Sequence, residues 1–178
     1  MKKTLTTLFA AVVLVFSGYP ASAQESSENN FKQQFIGQFD YSSRVLELAK
    51  AMPAEHYDWR PMEGVSSVGE VYRHIAGANF SMLQGALDIP APDGVDMENI
   101  SSMTGKEEIV SLLEQSIQHV KESVQNMPDA KLREQTEIYG RSTDGQGVLV
   151  MLLSHMSEHV GQSIAYARMN EVVPPWSQ

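Results

Sequence analysis

The chain has five histidines and no cysteine. His155 and His159 are four residues apart, a spacing that stacks two side chains on one helix face with about 6 Å of axial rise between them. At about 100° per residue, Val148, Leu152, Gln162 and Tyr166 share that face, which places both histidines in the middle of a core-facing stripe. Two imidazoles buried side by side would carry polar nitrogens into the interior without partners. A shared metal ion removes that cost, and paired histidines at this spacing are a common way to chelate one. The alternative is two histidines hydrogen-bonded to backbone or water. A metal needs a third ligand, for which His74 is the candidate. It flanks the apolar stripe of another helix, in line with Ser67, Val71, Ala78 and Ser81, whose small members leave space. His56 falls in a loop and His119 about 110° off its helix's stripe, so both are expected on the solvent side.

Three neutral imidazoles with coordination positions left over make a catalytic site rather than a closed structural one. Zinc is the first expectation, with nickel or another divalent ion as the alternative, since imidazole suits several. An acidified water would serve a hydrolase and a thiolate a transferase. No general base is evident. Glu158 lies between the two ligands in sequence but about 60° off their line, which suits a solvated side chain as well as a base. Gln162 and Tyr166 continue the histidine stripe and suit supporting or pocket roles, or packing in the case of the tyrosine. Trp59 and Arg60 are placed to cover one end of the fold, and Arg168 to meet the C-terminus of the last helix. The lack of cysteine excludes disulfides, iron–sulfur clusters, zinc-thiolate sites and a thiol nucleophile. The ten methionines are scattered and read as core.

Four helical stretches must position these residues. The first carries Phe31, Phe35, Phe39, Ser42, Leu46 and Ala49 at helical steps and ends at Pro53. The second opens at a capping box, Ser67-Val68-Gly69-Glu70, with Val68, Val71, Ile75, Ala78 and Met82 as its stripe, and stops before Pro90. The third opens at Thr104-Gly105-Lys106-Glu107 and carries Ile109, Leu113, Ile117, Val120 and Val124. The fourth opens at Thr143-Asp144-Gly145-Gln146 and runs to about Asn170, with Pro174 and Pro175 beyond it. Glu137-Ile138-Tyr139-Gly140 is too short to count as a strand, and no hairpin signal competes. The expectation is an all-α protein, a four-helix up-and-down or crossover bundle.

The 178 residues suffice for one domain, expected at 31–178. Residues 1–23 read as a secretory signal peptide: Lys2 and Lys3, an apolar run from Leu5 to Phe16, and Ala21-Ser22-Ala23 as cleavage site. The run is shorter than the roughly 20 residues that span a bilayer, so no stable membrane anchor is expected after cleavage. Residues 24–30 read as a polar linker. Loss of Lys2 and Lys3 takes the net charge from −9 to −11. The protein is therefore expected to be exported, periplasmic or secreted. Its acidity argues against nucleic-acid binding.

The order Trp59-Arg60-Pro61, Ser67-Val68-Gly69-Glu70, His74, a third amphipathic helix, then His155-Met156-Ser157-Glu158-His159-Val160-Gly161-Gln162 resembles the DinB-like superfamily of metal-binding four-helix bundles. The ending Arg168-Met169-Asn170-Glu171-Val172-Val173-Pro174-Pro175 does so too, and the likeness spans Phe31 to Trp176. The resemblance implies an up-down-down-up bundle and a divalent metal held by His74, His155 and His159. It also implies frequent homodimers and, in some members, thiol-dependent transferase or isomerase activity; many members have no known reaction. The characterised thiol-dependent members are cytoplasmic, and this chain departs from them in its export signal. Two functions follow as expectations. One is a metal-dependent hydrolase or transferase acting on a small molecule. The other is a non-catalytic metal-binding or structural bundle.

Overall fold

The computed structural model describes residues 21–178; residues 1–20, and with them most of the expected signal peptide, lie outside the described residues. The protein is mostly helical. Its elements are α1 (Ala21–Ser43), α2 (Val45–Ala51), α3 (Val68–Leu87), α4 (Lys106–Asn126), α5 (Asp129–Arg133), β1 (Gln135–Ile138), β2 (Arg141–Asp144) and α6 (Gly145–Met169), with short 3-10 turns at Ala54–His56, Ile100–Ser102 and Pro175–Ser177. The long helices form a closed set: α1 packs on α4 and α6, and α3 packs on the same two.

The first helix differs from its expectation at both ends. Residues 24–30 belong to α1 rather than to a linker. They lack the apolar periodicity that marks a helix, but also any glycine or proline to break one. Near the other end the helix is interrupted at Arg44, and α2 resumes the same stripe with Val45, Leu48 and Ala49 buried. The Ser43 hydroxyl donates back to the Phe39 carbonyl at 2.7 Å, a local bond that competes with the backbone ladder and bends helices.

α3 starts where the sequence places it. Ser67 Oγ accepts from the Glu70 N–H, and the Glu70 carboxylate accepts from the Ser67 N–H at 2.7 Å, so the capping box is complete. That bond, the largest cause, and the guanidiniums of Arg60 and Arg73 hold the Glu70 carboxyl below its ordinary value. A lowered folded-state pKa contributes stability above the ordinary carboxylate range that is lost as pH falls through the lowered value. Ser67→Ala is expected to cost about 1 kcal/mol. Measured by urea unfolding, that cost should not change with pH, because the Ser67 Oγ bond to the Glu70 N–H carries no charge, whereas the cost of Glu70→Ala should shrink as pH falls through the lowered carboxyl value; a Glu70→Ala cost independent of pH refutes the assignment.

The two later start signals are displaced. α4 is capped by Gly105, with no side-chain hydrogen bond from Thr104, so that box does not form. α6 is capped by Asp144, whose carboxylate accepts from the Gly147 N–H at 2.9 Å, one residue later than a box centred on Thr143. Thr143 is instead in β2. The β1–β2 hairpin corrects the expectation that 137–140 is too short for a strand and that no hairpin competes: Ile138 pairs with Arg141, and Tyr139 and Gly140 turn the chain at φ +52° and +73°. Positive φ at both turn residues is the type I′ geometry that suits the strand twist. Tyrosine is an unusual occupant of the first position, which is why the turn escaped notice. The Thr136 hydroxyl donates to the Ala86 carbonyl at 2.7 Å and ties the hairpin to the end of α3.

The core is continuous, with Phe39, Leu48, Met52, Tyr72, Ile75, Phe80, Leu83, Leu113 and Leu149 fully enclosed. Asn79 and Ser116 form a buried polar link between α3 and α4 at 3.1 Å. Among the described residues no helix is long and apolar enough to cross a membrane.

Candidate metal centre

α3 and α6 pack against each other, and their contact brings His74, His155 and His159 together at the surface. The Ser67 cap sets the register of α3 so that His74, one turn beyond Glu70, faces α6. On α6 the buried residues centre on Leu152, Met156 and Ser163, so the two histidines lie on the flank of the buried face, not in its middle. Both are half-buried and His74 is exposed. The correction matters chemically, because a flank position leaves an approach from solvent that a core position denies.

The three rings converge through one kind of atom. His155 Nε2 lies 2.9 Å from His74 Nε2 and 3.2 Å from His159 Nε2. A metal about 2.0–2.1 Å from each nitrogen requires N···N separations of about 2.9–3.4 Å for angles between 90° and tetrahedral, and both distances fit. The rings are steeply inclined to one another, at 60° to 78°, rather than stacked face to face. His155 Nε2 carries either one proton or one lone pair, so it can satisfy one of the two ring nitrogens facing it and not both. A cation among them removes that conflict.

The tautomer of His159 is set from behind. Its Nδ1 lies 2.8 Å from Gln162 Oε1, Gln162 Nε2 donates to the Tyr166 hydroxyl at 3.0 Å, and that hydroxyl donates to the Ser66 carbonyl at 3.1 Å. The Ser66 carbonyl can only accept, so it consumes the single Tyr166 proton and fixes the direction of the chain. Gln162 must then present its carbonyl to His159, whose proton sits on Nδ1 and whose Nε2 keeps a free lone pair. Trp59 packs edge-on against the Tyr166 ring at 5.5 Å and helps hold the last donor in place.

Burial pushes the His155 ring down to about 4, helped by the charges that His159 and His74 would carry. The His74 side chain is exposed as a whole, but partial enclosure of its ring against α6, and after it the charge His159 would carry, lower its pKa against a smaller opposing pull from Glu158. Glu158 itself is exposed.

The family model for the DinB superfamily matches residues 42–163, most of the chain. The chain belongs to the DinB superfamily. None of the curated proteins matches it. Among solved structures it is similar to a DinB-like protein from Bacillus cereus, at 17% identity over 80% of this chain and 95% of that one, with a TM-score of 0.69. A DinB-like protein from Bacillus subtilis aligns at 20% identity over 82% and 97%, with a TM-score of 0.60. A conserved protein from Enterococcus faecalis aligns at 16% over 77% and 95%, with a TM-score of 0.61. These likenesses establish a DinB-like fold.

Within that fold the remaining histidines stand apart from the triad. His56 closes the 3-10 turn after α2 and is half-buried. His119 is also half-buried, its ring tilted against Phe80 at 5.7 Å with Nε2 enclosed, where a solvent-facing ring was expected. The 88–92 segment reaches over it, and a hydrogen bond with the Pro90 backbone holds the ring. Helical angles from α4 alone carry no information about a loop that folds back.

Gln162 gives the site its clearest supporting residue. Gln162→Leu keeps the volume and removes the Nδ1 acceptor, so divalent-metal affinity is expected to fall about 10- to 100-fold with the fold intact. Titration calorimetry with zinc on the wild-type and variant proteins checks this; equal affinities refute the role.

Proposed function

We propose that the protein binds one divalent metal ion through the Nε2 atoms of His74, His155 and His159 and is a metal-dependent hydrolase or transferase acting on a small molecule. The observation that carries this reading is the gathering of three imidazoles whose ligand nitrogens lie within 4.8 Å of one another, His155 Nε2 being 2.9 Å from His74 Nε2 and 3.2 Å from His159 Nε2, with the His159 proton held on the far side by Gln162. Among the described residues the cluster comprises only these three side chains, which leaves coordination positions for a substrate. An open position at a surface-accessible site favours catalysis over a purely structural ion. Zinc is the ion proposed first, with nickel as the alternative.

A divalent ion held there supplies Lewis acidity to a polar group of the substrate. The chain's own residues do the rest. His159 is oriented by the Gln162–Tyr166–Ser66 relay, His155 stays neutral and ready to coordinate because burial disfavours its charged form, and the His74 ring is biased the same way. Glu158 stands beside His74 with its carboxylate exposed to solvent.

We further propose that the four long helices run up, down, down, up, that the chain forms a homodimer, and that it is exported with residues 1–23 removed. Elemental analysis of protein purified without added metal and without a histidine tag is expected to find one divalent ion per chain. The metal-loaded and chelated forms should then differ in a screen of hydrolase and thiol-transferase substrates. Substoichiometric metal that zinc or nickel fails to restore would sink the reading.

A further inference from the structure

A cleft of about 400 Å³ opens beside the triad, between α3, the turn at 97–101 and the tip of the β1–β2 hairpin. His74 forms part of its wall, together with Arg73, Gly77, Met97, Ile100 and Tyr139. Its volume falls within the range of small-molecule sites, about 300–1,000 Å³. We propose that this cleft binds a small organic anion, a carboxylate with an apolar or aromatic body, and presents it to the triad; its role as a substrate site rests on the metal reading above.

Charge argues for the anion. Glu70, which itself lines the cleft, is paired with two guanidiniums, Arg73 of the cleft wall at 3.9 Å and Arg60 behind it at 3.3 Å, so the three side chains together carry one positive charge in excess on a chain whose net charge is −9. Arg73 is largely enclosed, with its side chain 15% exposed. It donates to the Met103 carbonyl, which fixes the guanidinium beside the cleft wall that the Arg73 side chain helps to form. A guanidinium has five N–H donors in a planar fork that matches a carboxylate, and Met103 and Glu70 engage only part of them.

Shape argues for the apolar body. Gly77 on α3 faces Ile100, whose methyl would lie 3.7 Å from a Cβ at that position, so the missing side chain is what keeps the cleft open. Met97 and Ile100 supply an apolar wall. Tyr139 stands at the rim, 71% exposed, in a left-handed backbone conformation that costs a tyrosine energy. An exposed ring held in that conformation at a cleft mouth suits stacking on a ligand. With the acid group at Arg73, one helical step from His74, the rest of the molecule lies along α3 beside the triad.

The experiment uses 3-phenylpropionate and its uncharged isostere 3-phenylpropanamide as probes. They are titrated into isotopically labelled mature protein and followed by amide chemical shifts, in zinc-loaded and chelated forms. The acid is expected to perturb residues 73–81, 97–101 and 139 and to bind at least about tenfold more tightly than the amide, the range of a hydrogen bond to a charged group. Arg73→Gln should erase the preference for the acid. Gly77→Leu fills the cleft and should abolish binding of both probes while zinc stoichiometry stays at the wild-type value. Equal affinity for acid and amide, shifts centred elsewhere, or binding that survives Gly77→Leu overturns the proposal. The chelated arm separates the two readings. Probe binding at the cleft without any zinc uptake by wild type retains the anion site and refutes the metal centre. Zinc uptake without probe binding does the reverse.

Discussion

Substituting His155 with alanine is expected to abolish stoichiometric metal binding and to lower the melting temperature of the metal-replete protein by on the order of 10 °C. His155 Nε2 is the hub of the cluster, the atom within reach of both other ligand nitrogens. Its loss leaves two histidines on different helices, with affinity too weak for occupancy. A ligand bound only by the folded state stabilises it by about 3–4 kcal/mol at 100 to 1,000 times its dissociation constant. For a domain of this size each kcal/mol is worth roughly 2–4 °C. Chelation of wild type should reproduce the shift, and adding chelator to the variant should do nothing more. Calorimetry of both proteins, with and without chelator, is the measurement; a variant that melts with wild type in excess zinc removes His155 from the site.

The chelated protein carries its own signature in pH. Burial holds the folded-state value of His155 at about 4, below the ordinary histidine value of about 6.5. A depressed value means the unfolded chain takes up the proton first, so this contribution to stability is fully present above pH 6.5 and is lost as pH falls toward 4. In His155→Ala that component disappears, and the chelated variant should lose less stability than chelated wild type between pH 6.5 and 4.5. Parallel curves across that interval would show that His155 is not enclosed as described.

Gly145→Ala is expected to destabilise the protein by about 3 kcal/mol or more, a loss large for a single methyl group. A Cβ at Gly145 would meet the Lys131 carbonyl oxygen at 2.2 Å and the Leu132 Cα at 3.0 Å, both backbone atoms of α5 that no rotamer change can move aside. α5 would have to lift from the start of α6, taking with it Leu132, which is fully buried. Gly161, on the same helix, is the contrast. Nothing lies within 4 Å of its Cβ position, so Gly161→Ala should stabilise by up to about 1 kcal/mol through helix propensity alone. Urea unfolding of the two variants tests both signs. A Gly145→Ala protein as stable as wild type would mean that α5 and α6 are not in the contact described.

Much of the candidate site was legible without coordinates because it depends on local order. The spacing of His155 and His159 survives any arrangement of the helices, and the Ser67–Glu70 box sets where α3 begins and therefore which way His74 turns. Those features arise from hydrogen bonds between residues close in sequence, and a reader of the sequence holds all the partners. The boxes expected at Thr104 and Thr143 failed for the complementary reason. The same pattern of residues was open to a rival: Gly105 took the cap of α4, and Asp144 took that of α6 while Thr143 went into a hairpin that only a positive-φ tyrosine makes visible.

The chain alone determined a helical protein with a histidine pair on one face, a third histidine on another helix, and an acidic surface. These follow from periodicity, spacing and charge, which are properties of the chain itself. The packing of α3 on α6 decided the rest. It put the triad on the flank of the core instead of inside it, joined His159 to the distant Ser66 carbonyl through Gln162 and Tyr166, and set Arg73 and Tyr139 around a cleft beside His74. Each of these is a contact between segments far apart in sequence, whose distances are set by how side chains of different helices fill a shared volume. No local pattern encodes that volume.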